Sequence, residues 1–156
     1  MSYLHEKSNA CIRNHTGFAM AAAVIPVPVA DIGAITAVEI DMMRALTKIY
    51  GLNWSENIGK QALGIASAAM AGTGIWGSLI KFMPGVGSIV GGMIQMSVAG
   101  TVCYALGKTY QLHLETGGEV FNPEVFATKM KEYIKEGKNI VKELKKNVKN
   151  GEYDKR

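Results

Sequence analysis

Between Lys60 and Lys108 the chain carries one charge. Gln61 to Ile80 is 20 residues without any, Lys81 interrupts, and Phe82 to Gly107 is 26 more. Met83-Pro84-Gly85 stands at the join and predicts a turn there, because proline stops a helix and glycine relaxes the backbone. The simplest object with this pattern is a helical hairpin with two uncharged arms, about residues 55–114. Both arms are rich in small side chains. Gly64, Ala68 and Gly72 are spaced by four, as are Gly87 and Gly91, and Ser88 and Gly92. That spacing puts small groups on one helix face, where two backbones can approach closely. Gly64, Ala68, Gly72, Gly87, Gly91, Gly92 and Gly100 are therefore the expected packing positions.

Such a hairpin has two destinations. A 20-residue helix is about 30 Å long, enough for the hydrocarbon core of a bilayer. The first arm offers Leu63, Ile65, Ile75, Leu79 and Ile80, together roughly −2 kcal/mol of insertion drive. Gln61, Ser67, Thr73 and Ser78 oppose it. The second arm has about twice the drive, opposed by Gln95 and its glycines. Neither arm is a strong span alone; paired as a hairpin, with their small faces together, the two fit a bilayer better. The alternative is a helical bundle that buries the same faces inside an oligomer. If inserted, the hairpin should keep both ends cytoplasmic, because Lys48, Lys60, Lys108 and the basic tail flank the arms while only Lys81 lies at the tip.

The flanking sequence is also helical. Residues 1–15 are polar and mixed, and Phe18 to Val24 is long enough for two helical turns. Pro26 and Pro28 end that segment, and Asp31 follows them in the first turn of the next helix, where a carboxylate can cap free N–H groups. From about Val29 to Tyr50, Ile35, Val38, Met42, Leu46 and Ile49 form one apolar stripe. Glu39 lies beside it, which suits a wet edge or a pair inside an interface. Gly51 closes this helix, and Asn53-Trp54-Ser55-Glu56 resembles a capping box with asparagine in the cap. Pro84 and Gly85 turn the hairpin. Asn122-Pro123-Glu124 opens a last helix with the stripe Phe126, Met130, Tyr133, Gly137, Ile140 and Leu144. Strand signals are missing, so the fold class is all-α. The expected division is a polar segment (1–15), a helical core (16–118), an amphipathic basic helix (119–147) and a frayed tail (148–156). The core should survive removal of everything after Gly118.

Charge is unevenly placed. From Val120 onward there are 10 Lys and Arg against 6 Asp and Glu; before that there are 7 against 7. The whole excess lies in the tail. Lys138, Lys142, Lys145 and Lys146 are the expected contacts for an acidic surface. Nucleic acid is the weaker choice, since Tyr133 and Phe126 belong to the apolar stripe and leave nothing for base stacking. Cys11 and Cys103 are read as reduced thiols, and the N-terminus has no signal-peptide pattern.

No constellation for chemistry emerges. Gly107-Lys108-Thr109 resembles the end of a phosphate-binding loop, but Val102 stands where that loop requires glycine, and the triplet falls inside a helix. His5, His15 and His113 have no partner at metal-ligand spacing. Gly72-Thr73-Gly74 and Gly85-Val86-Gly87 follow no strand. The expectation is a non-enzymatic chain without cofactor or metal.

Two stretches carry a resemblance. One is Ala21-Ala22-Ala23-Val24-Ile25-Pro26-Val27-Pro28-Val29-Ala30-Asp31, with Leu46-Thr47-Lys48-Ile49-Tyr50-Gly51-Leu52 after it. The other is Ile80-Lys81-Phe82-Met83-Pro84-Gly85-Val86-Gly87, leading to Ala99-Gly100-Thr101-Val102-Cys103-Tyr104-Ala105-Leu106-Gly107. Together, over roughly Thr16 to Leu114, they resemble the bacterial domain-of-unknown-function family 697. Members of that family often follow a Ras-like or Era-like GTPase domain, and some are described as membrane proteins. The resemblance implies membrane attachment and a GTPase acting in trans, and supplies no catalytic residues. The combined expectation is a self-associating helical module, a homo-oligomer, on the cytoplasmic side of the inner membrane. A cytoplasmic oligomeric adaptor that docks a GTPase or another partner is the alternative.

Overall fold

The computed structural model describes residues 2–23, 28–72, 89–118 and 120–149. The expected turn at Pro84 and Gly85, with Gly87 and Pro26, lies outside them. The described residues form five α-helices and no strand: α1 (Ser2–Ala22), α2 (Pro28–Ile49), α3 (Glu56–Gly72), α4 (Ile89–Glu115) and α5 (Pro123–Lys149). The chain is all-α, as its periodicity predicts.

Helix α4 is the axis of the bundle. It packs against α5 and α1 along most of its length, and against α2 and α3 over shorter stretches. Cys103, Ala105 and Leu106 are fully buried, and Tyr104, Tyr110 and Leu114 nearly so. A helix covered on nearly every face has no reason to show a polar side. This explains the charge-free run from Ala99 to Gly107: it is the centre of a helical core. Correspondingly, α3 lies mainly along α5 and touches α4 less. The described part of the first arm thus packs on both α5 and α4 within the bundle.

Two further expectations need correction. Residues 1–15 are not a separate polar segment, and the first helix is not two turns. It is a 21-residue helix. Its buried line is Ser8, Ile12, Thr16, Ala19, Met20 and Ala23. Ser8 and Thr16 donate their hydroxyls to the carbonyls of Leu4 and Ile12, at 2.7 and 2.8 Å. Satisfied in this way, both serve as small core groups. Nor is α5 an appendage. Phe126, Met130, Ile134 and Val141 are buried in the common core.

The caps fix where helices stop. Leu52 N–H donates to the Thr47 carbonyl and Gly51 N–H to the Lys48 carbonyl, with Gly51 at φ +68°. The same double closure ends α4 at Gly117. Both are left-handed glycine stops. Asn122 Oδ1 accepts the N–H groups of Glu124 and Val125 at 3.1 Å, as expected. The α3 cap is Ser55, whose Oγ accepts the Ile58 N–H at 3.4 Å, two residues later than the expected Asn53.

Candidate functional site

Helices α4 and α5 run antiparallel. Thr109 Oγ1 meets Met130 Sδ, Tyr104 donates to Glu136 at 2.6 Å, the Gly137 Cα lies against Thr101, and Lys145 Nζ reaches Ser97 Oγ. The C-terminal turns of α5 thus lie beside the N-terminal turns of α4. That is where the stretch 73–88, whose one charge is Lys81, leads into Ile89.

The charge of α5 is graded along its length. Residues 123–136 carry three lysines (Lys129, Lys131, Lys135) and three glutamates (Glu124, Glu132, Glu136). Residues 137–149 carry five lysines (Lys138, Lys142, Lys145, Lys146, Lys149) and only Glu143. The acids past the first turn are engaged elsewhere. Glu132 pairs with Lys129 at 2.7 Å, Glu136 accepts the Tyr104 hydroxyl, and Glu143 pairs with Arg13 of α1 at 2.9 Å. Burial, with Glu136 beside it, pushes the Tyr104 phenol up, so its hydroxyl stays a donor. Lys131, Lys135, Lys138, Lys142 and Lys146 are exposed, and none forms an ion pair among the described residues. Their spacings of three and four put them on one side of the helix. Lys145 is half-buried and turns inward to Ser97.

The small-residue positions divide. Gly100 is a close-contact site, but between α1 and α5: a Cβ there would lie 2.6 Å from Met20 Cγ and 2.8 Å from Val141 Cγ2. Gly64 faces open space and Ala68 is exposed, while Ala62 and Ala66, two residues earlier in each case, are buried. Among the described residues, nothing packs closely on the Gly64–Ala68 face. Gly72 ends α3, and Gly91 and Gly92 fall in the first turn of α4. Pro28 and Asp31 fall in the first turn of α2.

The Gly107-Lys108-Thr109 triplet is structural. Lys108 Nζ donates to Asn9 Oδ1 and Gln111 Oε1, each at 2.9 Å, and lies over the Tyr133 ring. Thr109 Oγ1 returns to the Ala105 carbonyl, and the space above Gly107 is filled by Met42 and Ile12. No cradle for a phosphate exists there. Among the described residues no three His, Cys, Asp or Glu groups converge as metal ligands.

Two arrangements are not visible in the sequence. Glu39 is buried, 7% exposed, in an apolar setting near Cys103. Burial pushes its carboxyl up to about 7, so the wet edge does not describe it, and it has no ion pair among the described residues. His15 clamps α1 to α2. Its Nδ1 lies 2.8 Å from the Cys11 carbonyl and 3.6 Å from Cys11 Sγ, and its Nε2 lies 3.1 Å from Asp41 Oδ2. These partners, Cys11 foremost, outweigh burial and raise the imidazole to about 9. An imidazole held protonated at neutral pH is a clamp and a poor general base. Cys11 and His15 at i and i+4 were a legible pair; Asp41, on another helix, was not.

A family model described as "Domain of unknown function (DUF697)" matches residues 1–146. The chain belongs to this family. The match takes in α1 and nearly all of α5, beyond the Thr16–Leu114 stretch whose motifs resemble it. A relative from Magnetospirillum gryphiswaldense, "Magnetosome membrane protein 22", is 34% identical over 140 residues, covering 86% of this chain and 72% of the relative. No solved structure matches. Among the described residues, no helix is long and apolar enough to cross a membrane.

Proposed function

We propose that this chain is a non-enzymatic helical module that attaches to a membrane by one end of its bundle. The observation that carries this is the shared location of two features. The largely apolar stretch 73–88, whose one charge is Lys81, joins α4 at Ile89, and antiparallel pairing sets the most basic part of α5 beside that N-terminus. Apolar sequence bordered by lysines suits a bilayer boundary, where apolar groups enter and cations meet the headgroups. The name of the Magnetospirillum relative supports the same reading. The exposed Gly64–Ala68 face gives a second copy a flat surface to approach, which supports self-association.

Fractionation with a carbonate wash tests the attachment. The chain expressed alone should pellet with membranes and stay there through the wash. Recovery in the supernatant before any wash would overturn attachment and favour the adaptor alternative.

A further inference from the structure

We infer that the exposed lysine row of α5 recognises anionic phospholipid headgroups. This deepens the membrane reading above and rests on it.

The row runs from Lys131 through Lys135, Lys138 and Lys142 to Lys146, 16 residues spanning about 22 Å of helix. Its distinguishing feature is how the acids are disposed. A lysine-rich helix with interspersed glutamates is normally a self-neutralised, solvated face. Here Glu132, Glu136 and Glu143 are taken by Lys129, the Tyr104 hydroxyl and Arg13. Glu132 and Glu143 are thus neutralised by cations outside the row, and Glu136 is drawn toward α4 by the Tyr104 hydroxyl. The same contacts hold α5 rigidly on α4 and α1, so the row is a preformed positive edge.

A basic edge suits any polyanion, and the surroundings choose among them. No aromatic side chain stands in the row: Phe126 is buried and the Tyr133 ring faces Lys108. Base stacking has no platform there. The net charge rises toward the end where the largely apolar stretch 73–88, with Lys81 its one charge, enters α4. A negatively charged, apolar-backed surface is what matches that gradient, and lysines near such a surface each add attraction that salt screens.

The test is vesicle co-sedimentation of the full chain. Vesicles of phosphatidylcholine alone are compared with vesicles containing one quarter phosphatidylglycerol, at low and high salt. A triple variant, Lys138→Gln, Lys142→Gln and Lys146→Gln, is compared with a charge-matched control, Lys7→Gln, Lys48→Gln and Lys60→Gln, all at exposed positions. Circular dichroism checks that both fold. We expect at least tenfold tighter binding to the anionic vesicles at low salt, and a loss of about fivefold per lysine in the α5 variant only. Equal losses in both variants would show a net-charge effect and overturn the inference. Equal binding to both vesicle types, insensitive to either variant, would overturn it while leaving membrane attachment standing. No binding to any vesicle would remove both. Tighter binding to duplex DNA than to anionic vesicles, lost with the same three lysines, would also overturn it.

Discussion

Glu39 is the residue where burial and charge conflict most. Its carboxyl titrates near 7 when folded and near 4.5 when free. The folded state therefore holds a proton that the unfolded state releases, and stability must fall as pH rises from 4.5 through 7. The full effect is on the order of 3 kcal/mol. His15 acts in the same direction. Its folded value is raised to about 9, so its contribution is complete below 6.5 and is lost as pH climbs through 9. We predict a melting temperature that declines from pH 5 to pH 9 in two steps. Glu39→Gln should remove the lower step and raise the melting temperature at pH 8; His15→Gln should remove the upper one. A flat profile in the wild-type chain would contradict both assignments. Little of this was legible. Helical spacing puts Glu39 beside the α2 stripe, but whether that edge is wet depends on α1 and α4, which come from distant sequence.

At the scale of the helix, small residues mark close contacts at some positions and open faces at others. Gly100 and Gly137 are where helices touch: a Cβ on Gly137 would lie 3.0 Å from the Thr101 carbonyl oxygen. Gly100→Leu and Gly137→Leu should each destabilise by roughly 1–3 kcal/mol or more, from overpacking. Gly64→Leu should leave the melt unchanged, since nothing lies within 4 Å. If the Gly64 face self-associates, the same variant should change the sedimentation profile in mild detergent. Unaltered sedimentation would remove that interface from the proposal. The missing charge marks most of α4, composition marks the caps, and periodicity places α2 and the α5 stripe. It fails at α1 because Ser8 and Thr16 satisfy their own hydroxyls, so a buried line looks polar. It also misses that Ile134 and Val141, rather than Tyr133 and Ile140, lie deepest on α5.

For the whole molecule, α5 decides whether there is a separable core. Its side chains Phe126, Met130, Ile134 and Val141 close the groove between α3 and α4 and the edge of α1. Each buried apolar side chain is worth about 1.5–3 kcal/mol, and a domain's net stability is only about 5–15 kcal/mol. A chain cut after Gly118 should therefore lose its cooperative helical melt. Retention of that melt would restore the idea of an independent core. The central claim is that the largely apolar stretch 73–88 meets the bilayer at the basic end of the bundle. It contains Trp76, while the other tryptophan, Trp54, packs on Gly59 at the far end. Tryptophan fluorescence with brominated lipids reads the difference directly. In the Trp54→Phe chain, adding vesicles should shift Trp76 emission to the blue, and brominated acyl chains should quench it. In the Trp76→Phe chain, Trp54 should show neither effect. Emission from Trp76 that ignores the vesicles to which the protein is bound would contradict the account.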